Sequence, residues 1–310
     1  MTSKTEQKLE KNHVKNIIKK IFKGESHRPY LLSLKTQEKL KTFVDLIEKI
    51  DKKKNKNTSD LFRSVYLDDA TIDEKCWHLG IAKKTIGDTY GSQSKDAIQL
   101  GIEELEPLID DLFKEVSTSL GSVEISFNNN HENINRYKIL PKDFYKILLA
   151  VSTRSAALSG GFNSTFGKSI EKPLMITLCK IFQLGRENYY AHDLKDEGGF
   201  SRETDFYIID DLKNKHKVEM KMMGKGNPEG ADSIYARGTK VFVGDTLSET
   251  NKKQCDSVGV LWLELRKNGW TKFSEILDHL NISNKFNNDY ERELDKIIDE
   301  AYFEANNFYS

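Results

Sequence analysis

Apolar positions recur along residues 4–22 at Leu9, Val14, Ile17, Ile18 and Ile21, the spacing of one helix face. Residues 35–50 repeat the pattern with Leu40, Phe43, Val44, Leu46, Ile47 and Ile50. The polar run DKKKNKNTSD (51–60) reads as a loop. Residues 61–120 read as mostly helical, most clearly in GIEELEPLIDDLFKEVSTSL, and NNNHENINR (128–136) as another loop. LPKDFYKILLAVSTRSAAL then opens a helix, with Pro141 in the first turn, where its missing N–H costs nothing. No internal repeat is present.

The second half changes character. STFGKSIEKPLMITLCKIFQL (164–184) is helical in pattern, with Pro173 bending it or forcing a restart. A β-hairpin follows over 204–223, then a polar glycine-containing loop (224–238). TKVFVGDTL (239–247) reads as a strand, SETNKKQCDSV (248–258) as a helix and GVLWLEL (259–265) as a buried strand. Ser248 and Asn251 make half a capping box. NNDYERELDKIIDEAYFEANNF is an acidic amphipathic helix. The order helix, strand, strand, strand, helix, strand predicts an α/β (α+β) core, a mixed central sheet flanked by helices. A mostly helical N-terminal region (1–150) precedes this core (151–310).

Composition adds a gradient. Lys+Arg and Asp+Glu both number 48, for a formal net charge of zero. Yet residues 1–57 carry an excess of about nine positive side chains, and the stretch after Trp270 is acidic by about five. The basic stretch fits either a polyanion partner or a solvated lysine-rich helix. Cys76, Cys179 and Cys255 are far apart, and neither they nor the seven histidines show metal-ligand spacing. Reduced thiols are expected. The first residues lack the apolar stretch of a signal peptide, and no run approaches a membrane span, so a cytoplasmic location is expected.

The hairpin ETDFYIIDDLKNKHKVEMK (203–221) carries the candidate chemistry. Side chains alternate faces along a strand, so Phe206 and Ile208 share one face and Asp205, Tyr207 and Ile209 the other. On the second arm Val218, Met220 and Met222 lie opposite Glu219 and Lys221. A turn near Lys213 pairs position 205 with 221 and 207 with 219, and any even-sum register keeps the odd-numbered sets together. Asp205, Glu219 and Lys221 then converge over an apolar face. Converging carboxylates attract a cation, and hard oxygen donors suit Mg²⁺. A lysine beside them can orient or deprotonate water, or hold a phosphate oxygen. The alternative is a solvated outer face in which Asp205 and Lys221 form a cross-strand ion pair. Other acid–x–Lys triplets occur, at 6–8, 51–53, 73–75, 193–195 and 211–213, but in helical or loop segments.

ETD followed by EMK resembles the bipartite signature of the PD-(D/E)XK nuclease superfamily, whose core has the same element order over 164–265. Thr204 stands where that motif often has proline. More narrowly, GGFNSTFGKSIEKPLM, RETDFYII and VEMKMMGKGNPEGADS are similar to type II restriction endonucleases of the CfrBI-like family. The resemblance implies Asp205 and Glu219 as metal-binding acids, the Met220 carbonyl as a third ligand, Lys221 as catalytic lysine and Mg²⁺ as cofactor. It also implies that Glu171, on the preceding helix, reaches the site; otherwise Glu171 is an exposed acid pairing with Lys168 or Lys172. Glu203 reads as peripheral, and Asp210 and Asp211 as turn residues.

The implied reaction is hydrolysis of double-stranded DNA that leaves 5′-phosphates. Base or backbone contacts are expected from Arg154, Asn163 and Lys168 in one glycine-containing segment (152–169) and from Lys225, Asn227, Arg237 and Lys240 in another (224–240), unless these are ordinary surface loops. IAKKTIGDTYGSQSKDAIQLG (81–101) fits a helix-turn-helix with Gly87 or Gly91 at the turn, or a plain helical hairpin. Cutting both strands of a palindrome implies a homodimer, and a restriction enzyme implies a host methyltransferase. A structure-selective or repair nuclease of the same fold, or a non-catalytic DNA-binding module, are the other readings.

Overall fold

The computed structural model describes residues 10–51, 70–91, 94–120, 123–129, 133–139, 141–191, 206–222, 234–235 and 238–307. The helical first half comprises α1 (Lys11–Phe22), α2 (Arg28–Asp51), α3 (Ile72–His78), α4 (Lys83–Tyr90) and α5 (Ser94–Leu120). Next come β1 (Val123–Asn129), β2 (Asn133–Ile139) and the long α6 (Pro141–Ile181). Then follow β3 (Tyr189–Tyr190), β4 (Phe206–Ile209), β5 (Lys215–Lys221), β6 (Val241–Gly244), α7 (Glu249–Ser257) and β7 (Leu261–Glu264). Two helices, α8 (Phe273–His279) and α9 (Tyr290–Asn307), complete the order. The chain clusters into two compact units, residues 1–32 with 163–310, and residues 33–162.

The first unit holds a five-stranded sheet in the order β3-β4-β5-β6-β7. The pairs β3–β4 and β4–β5 are antiparallel, while β5, β6 and β7 are mutually parallel. The mixed sheet was legible in the element order; the two-residue edge strand β3 was not. Phe206 faces Val218 and Tyr207 faces Lys217, a register two residues tighter than the turn near Lys213 suggested. The cause is local. Asp210 accepts the Asn214 N–H at 2.7 Å and the Lys213 N–H at 2.9 Å, while Lys213 takes a φ of 68°. A shift of two leaves every side chain on its own face. Accordingly Phe206, Ile208, Val218 and Met220 are all fully buried.

Helix α1 buries Val14, Ile17, Ile18, Ile21 and Phe22, as its spacing predicted. Its lysines meet the acidic face of α9: Lys11 and Lys15 pair with Asp299 at 2.9 and 2.7 Å, and Lys19 with Asp295 at 2.5 Å. The charge gradient is therefore met in part within the chain. Between these helices Trp270 is buried, with edge contacts to Phe22, Phe182 and Tyr290. Because α1 packs here, residues 10–32 cluster with the sheet.

Two loop expectations are corrected. Segment 152–169 is helical, since α6 runs unbroken from Pro141 through Pro173 to Ile181. Ser weakens a helix by about 0.5 kcal/mol and Gly by about 1 kcal/mol, which flanking turns rich in Leu and Ile outweigh. Residues 128–129 and 133–136, read as loop, lie in the antiparallel pair β1–β2, with Val123 facing Ile139 and Phe127 facing Asn135. Its alternation of Val123, Ile125 and Phe127 outweighs the polar tip.

In the second unit α3, α4 and α5 close around Cys76, Ile86, Ile98 and Ile102. Thr71 and Glu74 cap α3 reciprocally. The turn between α4 and α5 falls at Gly91, with a φ of 54°, and Gly87 lies inside α4. Beside this cluster Glu106 accepts from Lys146 at 2.6 Å and contacts His78 at 3.1 Å. All three cysteines are free and buried. Among the described residues no helix is long and apolar enough to cross a membrane.

Candidate active site

Strand β5 sits in the middle of the sheet and carries the acid and the lysine. Glu219 is 0% exposed, although its side chain is a carboxylate. Removing such a group from water costs several kcal/mol unless positive charge or donors lie close. The Lys221 ammonium lies 3.8 Å from Glu219 Oε2 and remains partly exposed. Glu219 lies opposite Phe242 in the parallel register, on the sheet face covered by Ile234, Leu247 and Cys255.

Glu171 comes from α6 and is 7% exposed. Its Oε1 accepts the backbone N–H of Met222 at 3.3 Å, so the helix meets the chain just past the end of β5. The reading of Glu171 as an exposed surface acid is thereby overturned. One turn earlier Gly167 leaves the space: a Cβ there would stand 3.1 Å from Glu171 Oε1.

Backbone geometry exposes a further donor. The carbonyls of Lys217 and Lys221 accept from Lys240 at 2.9 Å and Asp245 at 3.3 Å, both on the β6 side. Alternation turns the Met220 carbonyl to the β4 side, past the last described pair, Phe206–Val218. The Met220 side chain is buried in the core. Carboxylates and a backbone carbonyl are hard oxygen ligands, the class that Mg²⁺ prefers. Among the described residues no three His, Cys, Asp or Glu side chains form a metal-sized cluster. Asp205 lies outside the described residues.

A family model, CfrBI restriction endonuclease, matches residues 11–252, which takes in α1, α6, the hairpin and β6. The chain belongs to the CfrBI restriction endonuclease family. No curated protein and no solved structure matches it. A restriction endonuclease is a nuclease that acts on DNA, and the acid–x–Lys strand of this family member lies well inside the matched range.

The other residues expected to serve this restriction endonuclease belong to several segments. Lys225, Asn227 and Arg237 lie outside the described residues, as does Glu203. Arg154 stacks on Trp77, its guanidinium carbon 4.5 Å from the ring centre, within the second unit. Asn163 falls on α6, and Lys168 is exposed on the same helix three residues before Glu171. Lys240 is partly buried directly before β6. Asp210 sits in the hairpin turn as read, accepting from Asn214 and contacting His216 at 3.0 Å. Burial opposes ionisation of Asp210, but these hydrogen bonds hold its carboxyl below the ordinary range.

Sequence reasoning missed another buried carboxylate. Asp245, just past β6, is 3% exposed and takes Nη2 of both Arg28 and Arg266 at 2.8 Å. His27 Nδ1 is 3.8 Å from its other oxygen and stacks on Phe166. Burial, offset in part by Asp245, keeps the His27 imidazole below its ordinary pKa. No local pattern announces this cluster, because Arg28 and Asp245 are 217 positions apart.

Proposed function

We propose that this chain is a type II restriction endonuclease with a PD-(D/E)XK core, making Mg²⁺-dependent, site-specific double-strand breaks that leave 5′-phosphates. The observation that carries the reading is the fully buried Glu219 with Lys221 two residues on and 3.8 Å away, in the central strand of a CfrBI-family chain. A carboxylate so placed needs positive charge beside it, which Lys221 supplies in part and a metal ion would add to. Asp205, Glu219 and the Met220 carbonyl would hold the metal. Bound there, Mg²⁺ supplies Lewis acidity toward the phosphoryl oxygens and lowers the pKa of water. Lys221 places a positive charge on the attacking side and orients the water for in-line displacement of the 3′ oxygen. Glu171 braces the end of β5 and presents a further carboxylate to the site.

Arg154, Asn163, Lys168, Lys225, Asn227, Arg237 and Lys240 are proposed contacts to DNA, with the helical first half contributing to recognition or pairing. Two sites related by a two-fold axis would cut a palindrome, which calls for a homodimer. Host DNA is then protected by a cognate methyltransferase, and both act in the cytoplasm. Digestion of a sequenced plasmid tests the reading. Discrete fragments with Mg²⁺, none with EDTA, and at least about 10³-fold slower cutting by Lys221→Ala are expected. Cleavage that survives EDTA or the substitution would overturn it.

A further inference from the structure

The C-terminal ends of the three parallel strands hold more than the acid–x–Lys pair. Lys221 closes β5 opposite Gly244, and Asp245, the next residue, donates its N–H to the Lys221 carbonyl at 3.3 Å. Arg266, two residues past β7, donates its own N–H to the Asp245 carbonyl at 3.2 Å. Arg28, the first residue of α2, reaches the same point and also bonds Thr246 Oγ1 at 2.9 Å. Two guanidinium groups thus share one carboxylate oxygen, leaving a net positive charge beside the reactive strand.

The arginines are not used up by Asp245. Among the described residues Arg28 bonds Asp245 and Thr246 through Nη2 alone, and its side chain is 44% exposed. Arg266 spends Nη2 on Asp245, is 22% exposed, and its buried Nε has no hydrogen-bond partner among the described residues. A guanidinium that gives Nη2 to a carboxylate and keeps part of its side chain in water, as Arg28 does most, can still bond an anion with paired oxygens. We infer that Arg28 and Arg266, held by Asp245, form a binding site for a DNA backbone phosphate at the C-terminal ends of β5, β6 and β7. This inference rests on the DNA-cleaving reading above and adds a DNA contact that the sequence did not suggest. Asp245 acts as a positioning residue, spacing the two guanidinium groups without touching DNA.

The alternative role is a clasp that fastens the start of α2 to the sheet, and the two roles differ in sign. A fluorescein-labelled 30-bp duplex, titrated with full-length protein in EDTA across a salt series, reads sequence-independent binding to phosphates. Arg28→Gln keeps hydrogen bonding toward Asp245 but removes the charge. It should weaken binding several-fold and flatten the log–log salt slope by about 0.9 for each phosphate no longer neutralised. Arg266→Gln should do the same and serves if Arg28→Gln fails to fold. Asp245→Asn removes the competing anion, so binding should hold or tighten. A clasp predicts lower melting temperatures and weaker binding for all three, which overturns the inference, as does an unchanged slope in the arginine variants. Wild-type protein that neither binds this duplex nor cuts the plasmid overturns the nuclease reading, and this inference with it.

Discussion

The backbone N–H of Met222 donates to Glu171 Oε1 at 3.3 Å, tying α6 to the end of the strand that carries Glu219 and Lys221. Loss of this tie should act on cleavage more than on folding. Glu171→Ala is expected to slow plasmid cutting at least about tenfold and to cost about 1–2 kcal/mol in denaturant unfolding. Glu171→Gln keeps an acceptor for Met222 and should restore most of the stability but little of the rate. Equal recovery of both would confine Glu171 to a structural role.

Gly167 offers a subtler probe of the same point. Alanine there favours the helix by about 1 kcal/mol, yet its Cβ would crowd Glu171 Oε1. Gly167→Ala is expected to leave the melting temperature equal or higher while cleavage slows. Unchanged cleavage would mean that the Glu171 carboxylate can shift without consequence.

The network in the second unit predicts an acid-dependent stability. Hydrogen bonding from His78, with Lys146, holds the Glu106 carboxyl at about 2, against burial, from an ordinary 4.5. Because the folded value is depressed, the stabilisation is complete above about pH 4.5 and is lost as pH falls towards 2. The Glu106 side chain is 32% exposed, so water screens part of the effect, and about 2 kcal/mol is a reasonable size. Unfolding of wild type and Glu106→Gln from pH 6 to pH 2 should show a gap that closes at the acid end.

Pairing of α1 with α9 bears on DNA affinity. Lys11 and Lys19 face Asp299 and Asp295, so their charge is already answered. Lys11→Ala with Lys19→Ala should change the salt slope of duplex binding by less than the value of one phosphate. The same pair should lower stability by about 1 kcal/mol at low salt and less at high salt. A slope flattened by the value of two phosphates would return these lysines to the DNA surface.

The chain's local chemistry determined what depends on near neighbours. Strand alternation placed Phe206, Ile208, Val218 and Met220 inside and Glu219 and Lys221 on the opposite face, and the two-residue register shift could not disturb that parity. Pro141 opens α6, and Ser248 caps α7 by accepting the Asn251 N–H at 3.1 Å, as their positions announced. Tertiary packing decided the rest. Segment 152–169 has turn-forming composition but lies between strongly helical flanks, and cooperative extension carried α6 through it. Lys15 on α1 found Asp299 on α9 across 284 positions, and Asp245 found Arg28 across 217. Such pairs leave no local trace, because a charge attracts any opposite charge the fold brings near. The sequence alone therefore determined which strand face carries the acid and lysine. Only the folded chain decided that Glu171 meets its end and that two arginines stand beside it.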